Sequence, residues 1–292
     1  MSNLEDGILN LVDDLFKLTD EQHKEVIIAY KGSLNNIRQL IAELYVKYAV
    51  EGKLNLSDLY KYNRLVAIED RIKVEIKNLG GFELKQINLI LKDIYKQSFY
   101  KTAYFLESGM QVGINFALLK PEFVKEVASF NWSGVPFSDR IWDNANSLVK
   151  ALRTELTQGI IEGDSIDKMA RRIKKRFDTS AYNSQRLIRT ESARVISSAQ
   201  EKIYNDSGVV KYVEYVATLD NRTSETCRNR DGKRWKVDDP TKPKIPAHPN
   251  CRSTWIPVIS DDYKPKKRKD NETKEIIEYK NYDDWYKAKV KK

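Results

Sequence analysis

Residues 220–259 read DNRTSETCRNRDGKRWKVDDPTKPKIPAHPNCRSTWIPVI, and no long regular element fits them. Prolines at 240, 243, 246 and 249 remove backbone donors and fix φ, which forbids an extended helix or a central strand there. Asp231-Gly232 signals a tight turn, and KRWKV after it reads as a short strand. A stretch this irregular needs something to tie it down. Its chemistry-bearing residues are Cys227, His248 and Cys251, which are both cysteines of the chain and one of its two histidines.

His-x-x-Cys spacing lets two side chains turn toward one ion, with Cys227 arriving from the preceding loop. Three states of the trio stay open from the residues alone. One is a structural zinc, which takes Cys and His ligands, with Asp220 or Asp231 as a candidate fourth donor. Another is a metal-free fold with buried thiols and a locally hydrogen-bonded His248. The last is a Cys227–Cys251 disulfide, disfavoured in a reducing compartment. Catalysis is the weaker alternative. His248 with Cys227 or Asp231 would activate water, directly or through a metal, as in a nuclease. No second cluster of acids and histidines accompanies it, and no glycine-rich phosphate loop is present. The sequence therefore predicts a protein that is not an enzyme. His23 reads as an ordinary surface or packing histidine.

Upstream of this stretch, residues 209–216 alternate apolar and polar positions and predict a strand. Everything before it reads as helix. Leu4, Ile8, Leu11, Leu15 and Leu18 recur on one helical face, and Thr19 with Gln22 suits a capping box that starts a second helix. That helix runs toward Gly52. Ser57 then caps another with Leu59, Leu65, Ile68, Ile72 and Ile76 as its stripe, ended by Gly80-Gly81. A further helix covers 84–106. Tyrosines at 45, 48, 60, 62, 95, 100 and 104 interleave with lysines and read as packing at helix edges. A short helix is expected over 122–129 and a longer one from Ser138 or Asp139 to Gly159. A helix capped by Asp164 or Ser165 buries Ile166, Met169, Ile173 and Phe177, and a last one covers 184–205.

The fold class expected is mainly α: a long N-terminal helical region (1–110), a linker with a short helix (111–137), a smaller α+β domain with the irregular loop (138–260), and a basic linker with an aromatic tail (261–292). That tail contains KPKKRK and then Ile276, Ile277, Tyr279, Tyr282, Trp285 and Tyr286, too aromatic for a plain spacer.

The chain has 292 residues, 41% hydrophobic and 32% charged, so it can build cores and is not globally disordered. Lys and Arg number 51 against 42 Asp and Glu, a formal +9 that favours acidic partners such as DNA. Two groups of cations are candidates for phosphate contact: Arg171, Arg172, Lys174, Lys175 and Arg176 on the capped helix, and Arg228, Arg230, Lys233 and Arg234 in the irregular loop. The first residues are acidic and lack a basic patch before a small-residue cleavage site, and no stretch approaches the roughly 20 apolar residues of a membrane span. Synthesis in the cytosol with no membrane partner is the expectation.

The order of four motifs resembles a known family. Arg189-Thr190-Glu191 with Arg194, then Asp220 and Arg222 within DNRTSETC, then Asp231-Gly232, then His248-Pro249-Asn250-Cys251-Arg252-Ser253 looks like the Mu F-like head morphogenesis domain of tailed bacteriophages. The resemblance covers about 141–259. It implies a minor head (minor capsid) protein held in few copies in the virion, at the head interior or portal vertex, after assembly in the host cytoplasm. The portal protein would be its partner, with scaffold or capsid proteins as further candidates. The resemblance also implies non-specific binding of double-stranded DNA and a part in head assembly, packaging stability or DNA delivery. The family signature Cys227, His248 and Cys251 is the candidate metal set, and a virion-associated metal-dependent nuclease is the alternative function. Arg189, Glu191 and Arg194 are expected to form an ionic clasp with Asp220 or Arg222. A toxin-like effector fused to a head domain would need a further catalytic domain.

Overall fold

The computed structural model describes residues 2–111, 113–218, 223–258, 286–287 and 290–291. Asp220, Arg222, the KPKKRK run and the aromatic tail before Tyr286 lie outside the described residues. Seven helices and three strands follow in chain order among the described residues: α1 (Ser2–Tyr48), α2 (Leu56–Lys61), α3 (Arg64–Met110), α4 (Pro121–Ser129), α5 (Phe137–Ile161), α6 (Ile166–Ser207), β1 (Tyr212–Val216), α7 (Glu225–Arg228), β2 (Arg234–Lys236) and β3 (Thr254–Val258). The expectation of a mainly helical chain with a small α+β part holds. Among the described residues no helix is long and apolar enough to cross a membrane.

Three helices are longer than the sequence signals suggest. α1 runs straight through Thr19, so the capping box is not used. The Thr19 hydroxyl instead donates to the Leu15 carbonyl one turn back (2.8 Å) and meets Ser192 Oγ at 3.2 Å. α3 passes through Gly80-Gly81 without a break. A Cβ on Gly80 would stand 3.0 Å from the Trp142 ring, so this glycine marks the close approach of α5 rather than a helix end. α6 joins the two helices expected on either side of residues 178–183. Its polar DTSAYN segment looks like a linker, but Thr179 bonds back to the Lys175 carbonyl and Asn183 donates to Asn144 of α5. Smaller corrections concern the caps: Asn55, not Ser57, caps α2 through the Asp58 N–H, while Ser165 caps α6 as expected. α5 continues past Gly159 to Ile161, and Gly163, at φ 66°, makes the turn into α6.

The chain divides into two compact units, each assembled from separated segments. One comprises Gln22–Asn88 and Asn131–Arg186. Its core takes Val26, Ile37, Ile41 and Leu44 from α1, Leu65, Ile72 and Ile76 from α3, Leu148, Leu152 and Leu156 from α5, and Met169, Ile173 and Phe177 from α6. Spacings of 3, 4, 7 and 11 residues keep each set on one helical face, and those of α3, α5 and α6 belong to the stripes read in the sequence. Each such side chain contributes roughly 1.5–3 kcal/mol by leaving water. A polar layer crosses this core. The Tyr30 hydroxyl donates to Glu83 (2.8 Å) and accepts from Asn144 (3.1 Å), and His23 Nε2 meets Ser184 Oγ at 3.0 Å. His23 is thus a buried packing histidine, 2% exposed.

The other unit comprises Met1–Glu21, Leu89–Phe130 and Leu187–Lys292. Ile8 and Leu15 of α1, Leu91, Ile94 and Phe99 of α3, Val124 and Ala128 of α4, and Ile196, Ile203 and Tyr204 of α6 are buried in it. The sheet belongs here, in the order β2-β1-β3 with both pairings antiparallel. β1 and β2 are where the sequence places them. β3 is not foreseen in the stretch that the prolines make irregular, and its own Pro257 can supply no ladder donor. It is an edge strand, in which a missing ladder donor is tolerated, and its Trp255 and Ile256 are buried. Tyr215, Trp235 and Trp255 pack edge to face beneath the sheet, with centroids 5.2–6.5 Å apart.

Candidate metal centre

Cys227 sits in the one-turn helix α7, whose N-terminus is set by Ser224: its hydroxyl accepts the Cys227 N–H at 3.3 Å. The chain then turns sharply. Arg230 and Asp231 N–H groups both return to the Cys227 carbonyl (3.1 Å each), and Gly232, at φ 72°, donates to Tyr215 of β1. The Asp231 carboxylate accepts the Ala217 N–H at 2.8 Å. Asp231-Gly232 is therefore the turn the sequence signals, and Asp231 is engaged in fixing it.

His248 and Cys251 come from the other end of the irregular stretch. Asn250, at φ 60°, bends the chain so that the Cys251 N–H reaches the His248 carbonyl at 3.2 Å. The Cys227 sulfur then lies 3.1 Å from His248 Nε2 and 3.9 Å from the Cys251 sulfur, and the three ligand atoms all lie within 4.8 Å of one another. Among the described residues this is the group of His, Cys, Asp and Glu side chains able to hold an ion, and no carboxylate belongs to it.

The protons follow from the partners. The Pro249 carbonyl can only accept, so His248 Nδ1, 2.9 Å away, carries a hydrogen and Nε2 faces the sulfur. Burial pushes the Cys227 thiol up. Hydrogen bonds from Ser224, Ser253, Tyr215 and His248 outweigh that effect and hold it down at about 6. One proton, or one cation, belongs between Cys227 and His248. Tyr215, whose hydroxyl is 3.3 Å from the same sulfur, is itself raised, first by burial and then by its bond to Cys227.

These distances suit an ion. Zinc bonds of about 2.3 Å to sulfur and 2.0–2.1 Å to nitrogen place tetrahedral ligands roughly 3.6–3.8 Å apart. The two contacts of Cys227, at 3.1 and 3.9 Å, lie near these spacings, and the carbonyl on Nδ1 is the usual orienting partner of a ligating histidine. Three protein ligands leave a fourth position for water or another donor. The free sulfurs are too far apart for a disulfide as they stand.

The Arg-Thr-Glu helix braces this site from behind. The Thr190 hydroxyl on α6 accepts the Asn250 N–H at 3.0 Å. Arg189 forks onto both oxygens of Asp20 at 2.8 Å. Glu191 and Arg194 form a buried pair at 2.7 Å, and Arg194 also donates to the Val127 and Ala128 carbonyls at the end of α4. Among the described residues Arg189 is thus tied to α1 and Arg194 to α4, and the Asp220 and Arg222 half of the expected clasp lies outside the described residues. Thr190 had no assigned role in the sequence reading. Its place between Arg189 and Glu191 was visible, but its partner is 60 residues away. Arg252 follows Cys251, and its carbonyl accepts the Thr218 hydroxyl.

The expected cation groups differ in availability. In the unit that holds the first part of α6, Arg172 pairs with Glu155, Glu162 and Asp164, Arg176 with Glu155, and Lys174 with Asp178. Arg171 and Lys175 are exposed on that helix. In the motif loop, Arg228 donates twice to the Thr223 carbonyl and Arg234 pairs with Glu214. Lys233 is exposed and Arg230 half-buried on the turn after Cys227.

Comparison with known proteins adds three findings. Residues 150–256 match the family described as Phage Mu protein F like protein. The chain is 26% identical to the minor head protein GP7 of Bacillus phage SPP1, over 94% of this chain and 95% of that one. It is 27% identical to an Enterococcus faecalis protein named NAD(+)--arginine ADP-ribosyltransferase EFV, over 93% of this chain but only 58% of that protein's length. No solved structure matches.

Proposed function

We propose, from the membership of this chain in the Mu F-like family through residues 150–256, that it is a minor head component of a tailed-phage virion. The near end-to-end alignment with the SPP1 minor head protein carries this reading, since it spans 95% of that protein. Mass spectrometry of particles purified from a strain carrying the intact phage tests it. The chain should co-purify with heads in few copies, and its absence from heads would overturn the proposal.

Within the head, its place is beside the portal protein at the interior or portal vertex, where it contacts packaged DNA. The +9 balance and the exposed Lys233, Arg171 and Lys175 support phosphate contact without base readout. Binding to unrelated duplexes should be equal and should fall steeply with salt. Strong preference for one sequence would sink that part of the reading.

Cys227, His248 and Cys251 hold a structural zinc whose role is to close the irregular loop, supplying by coordination the fixation its few regular hydrogen bonds cannot. About one zinc per purified chain is expected, lost with Cys251→Ser. A metal-free protein whose loop is equally ordered would overturn it.

The chain acts without turnover. Supporting this, the Asp231 carboxylate is engaged by the Ala217 N–H. The three-ligand geometry does favour one second reading, a virion-associated metal-dependent nuclease with water in the fourth position. Zinc-loaded chain incubated with DNA, and separately with labelled NAD and an arginine acceptor, distinguishes them. DNA cleavage abolished by His248→Ala would establish the nuclease.

A further inference from the structure

Cys227 and Cys251 are both free and almost fully buried, 2% and 1% exposed, with sulfurs 3.9 Å apart. A disulfide needs about 2.05 Å between sulfurs, so side-chain rotation has to close roughly 2 Å. We propose that this pair is an oxidation site, which a small oxidant of the peroxide class converts to an intramolecular disulfide and which a bound metal protects. The protection rests on the metal reading above; the oxidation itself does not.

The partners around the pair divide the chemistry between them. The Cys227 sulfur lies 3.3 Å from the Tyr215 hydroxyl and 3.1 Å from Nε2 of the half-buried His248, and is the attacking sulfur. That sulfur attacks one peroxide oxygen and the O–O bond breaks. Cys227 becomes a sulfenic acid, and the departing oxygen leaves as water with the proton the thiol gave up. The Cys251 sulfur then attacks the Cys227 sulfur. The S–O bond breaks, a second water leaves with the Cys251 proton, and the S–S bond forms. The two thiols lose two electrons and the peroxide gains them. His248 is half-buried, so the reacting sulfur is one side chain away from solvent.

The bridge and the metal need the same sulfur electron pairs, so they exclude each other. Both close the same stretch of chain between residues 227 and 251. A reducing host cytosol keeps the thiols available for metal, whereas a released particle meets oxidants. One knot can then hold the loop closed in either setting.

The test uses full-length chain stripped of metal by chelator under reductant, then exchanged into buffer and treated with hydrogen peroxide, with a parallel sample reloaded with equimolar zinc. Stripped chain should lose two hydrogens by intact mass. Non-reducing peptide mapping should join Cys227 to Cys251, and dithiothreitol should reverse the change. Zinc should slow the reaction about tenfold or more. Unreacted thiols in stripped chain that stays folded by circular dichroism would overturn the proposal. So would sulfinic acid or intermolecular dimers without the linked peptide. A disulfide forming at the same rate with and without zinc would uphold the oxidation site and defeat the metal reading.

Discussion

The Thr190 hydroxyl on α6 accepts the Asn250 N–H at 3.0 Å, so the Arg-Thr-Glu helix is tied directly to the turn that carries His248 and Cys251. Two motifs far apart in sequence meet at one hydrogen bond. Thr190 is 4% exposed, and losing its oxygen removes the acceptor of the half-buried Asn250 N–H.

Thr190→Val should therefore destabilise the chain by about 0.5–1.5 kcal/mol, the net worth of one intramolecular hydrogen bond. Thr190→Ser, which keeps the oxygen, should recover most of it. Urea unfolding of the two variants checks this. Equal stability of both with the parent would show that the turn is held without Thr190.

Arg194 satisfies Glu191 and the last carbonyls of α4 together. Arg194→Ala should cost about 3–5 kcal/mol, because it removes the buried cation paired with Glu191 and the donor to the Val127 and Ala128 carbonyls. The double variant Glu191→Gln, Arg194→Met removes the Glu191 charge as well and should be less damaged than Arg194→Ala alone. Thermal unfolding of the pair decides it. A double variant worse than the single would mean that the carbonyl contacts to Val127 and Ala128 dominate.

Gly81 lies inside α3 and is exposed, and a Cβ there would meet nothing within 4 Å. Gly81→Ala should stabilise the chain by about 0.5–1 kcal/mol, the helix-interior difference between these residues. If residues 80–81 instead ended a helix, the same substitution would be neutral or harmful. Chemical denaturation separates the cases.

Glu83 is 1% exposed, and burial raises its carboxyl above the ordinary value of 4.5 despite hydrogen bonds from Ser184 and Tyr30 that act the other way. A folded state that holds a proton more tightly than the unfolded state is stabilised at low pH. That contribution is complete below the unfolded value and is lost as pH rises through the folded one. Glu83→Gln, which cannot ionise, should gain stability relative to the parent as pH increases above about 4.5. Melting temperatures across a pH series measure the gap. Parallel curves would show that Glu83 holds its proton equally in the folded and unfolded chains, so that burial does not raise it.

Much of the fold could be read in advance because it is local. The apolar stripes at three- and four-residue spacing already name the buried faces of α1, α3, α5 and α6. The alternation at 209–216 and the Asp231-Gly232 signal locate β1 and the turn before β2. The loop that needed fixing and the residues able to fix it, Cys227, His248 and Cys251, follow from composition and proline placement alone.

Other features were decided by packing. Gly80-Gly81 and the DTSAYN segment look like breaks, because a glycine pair and a run of small polar residues favour turns when nothing else acts on them. Trp142 against Gly80, and Asn144 against Asn183, reverse that preference, and neither contact is encoded by neighbours in the chain. β3 exists because an edge position tolerates Pro257 and because Trp255 packs on Tyr215 and Trp235. The charges of Arg172 and Arg176 looked free in sequence and are neutralised by Glu155 on another helix. Sequence fixed which side chains were available and which faces were apolar, since those depend on spacing along one helix or strand. Tertiary structure decided where helices stop, which cations stay exposed and how the three ligands converge, since those depend on partners tens of residues away.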